Sequence, residues 1–343
     1  MGTDQRQKEP MSNFWNNRPT LVTGATGFIG ANIVKRLIDE GARVCCFQRD
    51  IVHPNTLDIF GLREKVEIVH GSIEDIGVLR LTLEKFEIES IFHLAAQALV
   101  GSANISPLST FDTNIRGTYT LLEAARCNPQ VGRVVVASSD KVYGSHENLP
   151  YREEFALNGL FPYDVSKACT DLLAQSFAHS YQLPVTIARS ANTYGAGDLN
   201  FSRIVPGTIL SVLENKSPTI RSTGAPVREF IYVEDVVNAY LMLAERINES
   251  RGHAFNLGST SRLRIIDLVE KIIKIAGKSD VLKPQVVSET KMEFAIDAKY
   301  LSEEKIYDRF GWHAEIDIDI GLRETIAWYR DYVGRGESSI LAV

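Results

Sequence analysis

In the stretch "YDVSK", Tyr163 and Lys167 stand four residues apart, a spacing that puts both on one face of a helix. A phenol that titrates near pH ~10 is a poor base at neutrality, but an ammonium close by favours its phenolate. Such a pair can take a proton from an alcohol while hydride leaves the carbon. A second cluster is "SSDKVYG", Ser138 to Gly144, which follows the apolar run "RVVVA". That run reads as a buried strand, so Ser139, Asp140 and Lys141 bring a hydroxyl, an acid and a base to its exit. A third stretch, "TGATGFIG", sets Gly24, Gly27 and Gly30 between a first strand and a first helix, with Thr26, Phe28 and Ile29 filling the turn. Glycines let the backbone turn tightly against a pyrophosphate, and the helix N-terminus offers free N–H groups and the positive end of its dipole. The spacing is GxxGxxG rather than GxGxxG, with the same physics. It points to a dinucleotide.

The elements that must position these groups alternate. "TLVTG", "RVCCF", "VEIVH", "SIFHLAA", "RVVVAS" and "PVTIARS" read as strands, and the segments between them have helical periodicity. "FIGANIVKRLIDEG" stops on Gly41, "EDIGVLRLTLEKF" and "PLSTFDTNIRGTYTLLEAAR" are helices, and strands apolar throughout imply a parallel sheet covered on both faces. The expected fold class is α/β, a doubly wound parallel sheet, over residues 18–190. From Asn192 the rhythm weakens. Short strands ("REFIYV", "HAFNLG") mix with helices, and residues 191–343 read as a smaller α/β substrate lobe interleaved with the first. Residues 1–17 read as a tag-like or loose extension, with Met11 as an available native start.

Composition narrows the classes. The 343 residues are 44% hydrophobic and 23% charged, ordinary for a globular chain. A net charge of −6 argues against a nucleic-acid surface. No apolar run reaches the roughly 18 residues of a membrane helix, and "MGTDQRQKEP" has no signal-peptide core. Cys45 and Cys46 are adjacent in a strand and so point to opposite faces. With Cys127 and Cys169 they show no metal spacing, and reduced thiols place the chain in the cytoplasm. At the end of the second strand, where an acid selects NAD by binding the ribose hydroxyls, the sequence reads Gln48, Arg49, Asp50. Asp50 is then a displaced acid, and Arg49 is either a surface charge or a partner for a 2′-phosphate; the latter tilts the choice toward NADP.

The ordered series "TGATGFIG", "HLAAQ", "NIRGTYTLLEAAR", "SSDKVYG", "YDVSK", "RSANTYG" and "REFIYVEDV" resembles the extended short-chain dehydrogenase/reductase superfamily, from about Arg18 to Val333. The resemblance implies a Rossmann lobe, a C-terminal nucleotide-sugar lobe, and a homodimer built on the helices near Pro107–Arg126 and Tyr163–Tyr181. It places Leu94, Ala95, Ala96 and Asn114 beside the cofactor. Ser72 stands where the family has an adenine-side aspartate, with Ile73 left to pack on the ring. Gln97, Ser139, Asn192, Arg203 and Arg228 fall on the substrate side, the two arginines as diphosphate ligands; Arg203 alone is equally well read as a surface ion pair. Asp235 and Trp312 read as packing residues.

Within that superfamily Asp140 is the informative residue. Sugar 4,6-dehydratases of the dTDP-glucose type carry threonine, aspartate and glutamate in a row, and C4 epimerases a small residue where Asp140 stands. Ser139, Asp140 and Lys141, with "HLAAQALV" and "NFW", look most like CDP-glucose 4,6-dehydratases. The implied cycle has Tyr163 take the 4-hydroxyl proton, Lys141 or another base take the C5 proton, Asp140 protonate the departing 6-hydroxyl, and a bound, recycled NAD(P) carry the hydride. Lys141 reads equally as a charge partner for Asp140 or a phosphate. Asp140 would need burial to raise its pKa and hold its proton. A C4 epimerase, a 4-ketosugar reductase and a non-catalytic cofactor sensor are the competing readings.

Overall fold

The structure, a computed structural model, describes residues 13–287 and 297–335. In the first half the strands are β1 (Pro19–Thr23), β2 (Arg43–Gln48), β3 (Glu67–His70), β4 (Ser90–His93), β5 (Arg133–Ser139) and β6 (Val185–Ser190). The second half adds β7 (Asn192–Tyr194), β8 (Thr219–Ile220), β9 (Val227–Tyr232), β10 (Ala254–Leu257), β11 (Arg262–Arg264), β12 (Gln285–Val286) and β13 (Ala298–Lys299). The main sheet is parallel, in the order β10-β6-β5-β4-β1-β2-β3. Every residue of β1, β4 and β6 is buried, as strands covered on both faces must be. Cys46 and Cys45 enter separate hydrophobic clusters on the two faces, as adjacent strand residues do.

The chain builds outward from β1 through β2 to β3, then returns to lay β4 on the other side of β1. This reversal opens a crevice at the carboxyl ends of β1 and β4, where ligands bind in open α/β sheets. Ser139, the last residue of β5, pairs in register with Ser190 on the same rim. Helices Phe28–Asp39, Ile76–Lys85, Gly117–Arg126, Pro162–Tyr181 and Val233–Glu245 flank the sheet. Pro107–Arg126 forms one helical run with a π turn at Asp112–Arg116.

Two sequence expectations change. "HAFNLG" contributes β10, which pairs with β6 and completes the large sheet rather than the smaller lobe; a four-residue buried strand carries no local sign of which sheet it joins. Residues 13–17 are not a loose extension. Trp15 is fully buried, its ring 5.6 Å from that of Phe92, and its indole N–H donates to Glu245 Oε1 at 2.5 Å. Residues 1–12 of that segment lie outside the described residues. The smaller lobe holds the sheet β11-β9-β13, with β7 also on β9, and the pair β12-β8. Asp235 accepts the backbone N–H groups of Glu315 and Ile316, and Trp312 is buried, so both pack the lobe together.

Candidate active site

Gly24 closes β1 with φ +70°, and a Cβ on it would lie 2.7 Å from the backbone of Leu94. One on Gly30 would lie 2.2 Å from the Gly24 carbonyl oxygen. The turn therefore requires glycine at both places. Thr23 Oγ1 accepts the N–H groups of Leu94 and Ala95 at 3.1 Å, tying the exits of β1 and β4 together. A cavity of about 720 Å³ opens above this turn, lined by Gly24, Thr26, Gly27, Phe28, Ile29, Gly30, Leu94 and Ala96. The glycine cradle and the free N-terminus of helix Phe28–Asp39, whose N-cap Gly27 has no side chain to occupy its N–H groups, fit the pyrophosphate of a dinucleotide.

The same cavity continues to Ser139, Asp140, Lys141, Tyr163, Lys167 and Asn192. Pro162 starts the helix at N1, which sets Tyr163 and Lys167 on its first turns against the end of β5. Lys167 Nζ donates to the Ala137 carbonyl at 2.8 Å. Both side chains are buried, which pushes the Lys167 amine down to about 8 and the Tyr163 phenol up to about 12. The expected lowering of the phenol is not met: burial outweighs the hydrogen bonding of Ser139, which favours ionisation.

Ser139 caps the tight turn that follows β5, its Oγ accepting the Lys141 N–H at 3.2 Å and donating to Asp140 Oδ1 at 3.0 Å. Asp140 is only 6% exposed, yet burial is not its whole environment. Lys299 Nζ, on β13, stands 3.7 Å from Asp140 Oδ2 and is itself 4% exposed. The carboxyl thus has a buried cation for a neighbour rather than a purely apolar niche. Burial pushes Lys299 down to about 8, with Asp140 opposing and Lys141 and Arg228 adding like charge. Glu229, whose burial pushes it up to about 8, accepts the N–H groups of Leu301 and Ser259 and so anchors the segment that carries Lys299.

A second cavity of about 790 Å³ adjoins the first through Val100, Lys141 and Arg203. It gathers Arg203, Arg221, Arg228, Lys141 and Lys299 around one acid, Asp164. Arg203 is paired with Asp198 at 3.0 Å, and Arg228 with its own strand through the Val227 carbonyl. The sequence reading missed Arg221 and Lys299. Neither belongs to a motif; both arrive from short strands or loops of the smaller lobe.

Other candidates serve elsewhere. Asn114 is buried with its amide engaged by Gln97 and Ser166, so it holds the β4 exit to helix Pro162–Tyr181 rather than facing a ligand. Gln97 Oε1 accepts the Leu99 N–H and shapes the same loop. Gln48 is buried and donates to the Asp50 carbonyl, leaving no exposed amide at the ribose position. Arg49 pairs with Asp50 at 2.7 Å on the surface. Ser72 Oγ accepts the Glu74 N–H, and Ile73 packs against Gly117.

Fold and site together define a dinucleotide-binding α/β enzyme. Residues 20–258 match the NAD dependent epimerase/dehydratase family, and the chain belongs to it. It is 28% identical to the CDP-glucose 4,6-dehydratase of Salmonella typhimurium, over 96% of this chain and 95% of that protein. The solved dTDP-glucose 4,6-dehydratase of Streptomyces venezuelae with NAD and TYD bound matches with a TM-score of 0.82 at 26% identity, over 92% of this chain and 98% of that one. The UDP-glucose 4-epimerase of Thermotoga maritima with UDP-glucose matches equally in fold, with a TM-score of 0.81 at 27% identity over 92% and 99% of the two chains. The chain spans about half the length (46%) of a trifunctional UDP-glucose 4,6-dehydratase/UDP-4-keto-6-deoxy-D-glucose 3,5-epimerase/UDP-4-keto-L-rhamnose-reductase of Arabidopsis thaliana, at 29% identity over 90% of this chain. The cofactor is a nicotinamide dinucleotide; the tilt toward NADP finds no support, since a structural relative carries NAD and Arg49 is engaged by Asp50. Among the described residues no helix is long and apolar enough to cross a membrane.

Proposed function

We propose that the protein is a nucleotide-sugar 4,6-dehydratase that converts an NDP-hexose into an NDP-4-keto-6-deoxyhexose. The observation that carries this reading is Asp140: a buried carboxyl lining the dinucleotide cavity, between Ser139 and the Lys141 that lines both cavities, and within ion-pair reach of Lys299 from the arginine-lined one. Oxidation at C4 alone, as in an epimerase, has no use for an acid there. Elimination does.

In this reading Arg203, Arg221 and Arg228 hold the diphosphate through paired N–H groups, which lays the hexose across Ser139 and Tyr163. Tyr163 receives the 4-hydroxyl proton, and Ser139 orients that hydroxyl. The turn of Gly24, Gly27 and Gly30 and the N-terminus of helix Phe28–Asp39 would hold the nicotinamide dinucleotide, which we take to be NAD and which, when bound, would supply the hydride acceptor for C4 and the hydride donor for C6. The ketone so formed acidifies C5, and Lys141, whose side chain lines both cavities, removes the C5 proton. Asp140 gives a proton to the 6-hydroxyl as it departs. A homodimer would pair the helices Pro107–Arg126 and Pro162–Tyr181, which leave Leu108, Tyr119, Leu172 and Tyr181 exposed.

Incubation with CDP-, dTDP-, UDP- and GDP-hexoses, followed by mass spectrometry, tests the reading. Loss of one water from one of them is expected, and identifies the nucleotide. An unchanged mass with a new stereoisomer by NMR would make the protein an epimerase and leave Asp140 without its role.

A further inference from the structure

Asp140 has to hold a proton when the 6-hydroxyl departs, and the structure sets a buried cation beside it. Lys299 stands on a segment clamped from two sides. On one side β13 pairs with β9, with Lys299 opposite Arg228; the Val227 N–H donates to the Asp297 carbonyl at 2.7 Å, and Glu229 Oε2 accepts the Leu301 N–H at 3.0 Å. On the other side the chain that follows β5 holds it: the Tyr151 N–H donates to the Tyr300 carbonyl at 2.9 Å and the Ser302 N–H to the Tyr151 carbonyl at 2.8 Å. The backbone around Lys299 is thus fixed both to the strand of Arg228 and to the stretch that carries Asp140. Ser139 Oγ donates to Asp140 Oδ1, while Lys299 Nζ stands 3.7 Å from Oδ2. That gap exceeds a hydrogen bond, and the flexible four-carbon stem of a lysine closes it without moving the backbone.

A lysine that only held its charge there would keep the carboxyl ionised and oppose its work as an acid. A lysine that gives up a proton does the reverse. The transfer turns two buried charges into two neutral groups, and burial favours the neutral forms. The groups around Lys299 bear on both outcomes. Burial is the largest influence and pushes its ammonium down to about 8; Asp140 and Asp164, at the head of helix Pro162–Tyr181, favour the charge, while Lys141 past β5 and Arg228 on β9 repel it. We propose that Lys299 is the source of the proton that Asp140 delivers to the departing 6-hydroxyl. This deepens the dehydratase reading and rests on it. Lys299 acts through Asp140 and does not touch the sugar, so it is a positioning residue that also holds a proton.

The step balances. A Lys299 N–H bond breaks as an O–H bond forms on Asp140 Oδ2. That O–H bond breaks in turn as an O–H bond forms on the departing hydroxyl and the C6–O bond breaks. The electron pair of the C5–H bond, whose proton goes to Lys141, becomes the C5–C6 double bond. Asp140 ends as a carboxylate and Lys299 as a neutral amine. Over the whole cycle C4 stays a ketone, so one proton remains on Tyr163 while Lys299 is one short; exchange of one proton with water at each resets the site.

Lys299→Arg separates proton from charge, because a guanidinium keeps the charge and does not release its proton. With the NDP-hexose that the unsubstituted protein dehydrates, Lys299→Arg and Lys299→Met should each lower kcat for water loss ~100-fold at neutral pH with KM little changed, the low end of what positioned proton transfer contributes. Neither should keep the fall above about pH 8 expected of the unsubstituted protein. The 6-deoxy analogue of the same NDP-hexose has no 6-hydroxyl to lose and reads C4 oxidation alone, as the near-ultraviolet absorbance of reduced nicotinamide. Both variants should reduce the cofactor on it at the unsubstituted rate, which also checks that they are folded. If Lys299→Arg dehydrates as fast as the unsubstituted protein, Lys299 contributes charge and no proton, and the proposal is wrong. If the variants lose cofactor reduction on the analogue to the same degree as water loss, Lys299 serves the architecture of the site, and the proposal is equally wrong. If the unsubstituted protein takes water from no NDP-hexose yet reduces its cofactor on one, the dehydratase reading itself fails and the proposal falls with it.

Discussion

Two buried ion pairs meet the chain at the exit of β5, Arg189–Asp171 through Ser138 and Lys299–Asp140 just past the strand, and they differ in how fully they are satisfied. Asp171, on helix Pro162–Tyr181, accepts from Arg189 Nε at 2.8 Å and Nη2 at 3.0 Å, from Ser138 Oγ at 3.0 Å and from Gln175 at 2.6 Å. Arg189 spends its remaining nitrogen on the Tyr143 hydroxyl, which donates onward to Asn256. That network ties β5, β6, β10 and the tyrosine helix into one unit and leaves no lone pair open. Asp140 has a single hydrogen bond and a lysine at 3.7 Å. The adjacent serines of "SSDKVYG" divide accordingly: Ser138 belongs to the lock and Ser139 to the open pair. A saturated buried pair fixes geometry, while an unsaturated one keeps capacity to move a proton.

The largest expected effect follows from the lock. Asp171→Ala leaves Arg189 buried without its partner, which costs about 3–5 kcal/mol. Urea unfolding should show a loss of that order; a loss below about 1 kcal/mol would mean the network does not hold the sheet to the helix. Asp140→Asn should behave in the opposite way, with a stability change within about 1 kcal/mol and water loss slowed ~100-fold. If Asp140→Asn also unfolds the protein, the contrast between the two pairs collapses.

How much of this was legible in the sequence follows the same division. The glycine turn, the six strands of the first half and the Tyr163–Lys167 pair are local patterns, and periodicity or fixed spacing suffices to read them. Ser139 and Asp140 were visible because a strand exit is a place along the chain. Their partners were not. Lys299 reaches Asp140 from a two-residue strand 159 positions later, and only the pairing of β13 with β9 puts it there. Arg189 sits in an all-buried strand, where a charge looks out of place until Asp171 is seen opposite. Trp15 looked like tail because nothing in its neighbours says which surface it covers. The expectation that Lys167 would lower the Tyr163 phenol failed because spacing on a helix gives proximity, but not the desolvation of the hydroxyl.

A smaller effect sharpens the role of Lys299. Burial pushes the Lys299 amine down to about 8, so the ammonium held 3.7 Å from Asp140 is lost as pH rises through that value. If the reaction uses that charge, the rate of water loss should fall above about pH 8. Lys299→Met, which has no charge to lose, should be slower below that pH and show no such fall. A basic limb that survives the substitution would mean that it belongs to another group.

The smallest effect belongs to a third ion pair, exposed where the other two are buried. Arg49 and Asp50 are 2.7 Å apart but each more than half exposed, and such a pair contributes about 0–1 kcal/mol. Arg49→Ala should leave stability within that range and, if the cofactor is NAD, leave NAD affinity within about threefold by calorimetry, since 0.6 kcal/mol is about that factor. An arginine that reads a 2′-phosphate makes a charge-assisted contact instead. Its removal would then weaken NADP tenfold or more, about 1.4 kcal/mol, and leave NAD unchanged. Asp50 decides between these outcomes: it occupies the guanidinium that a phosphate would need, and its own negative charge repels one. Asp50→Asn should accordingly improve NADP binding more than Arg49→Ala harms it, because it removes the competitor and keeps the ligand.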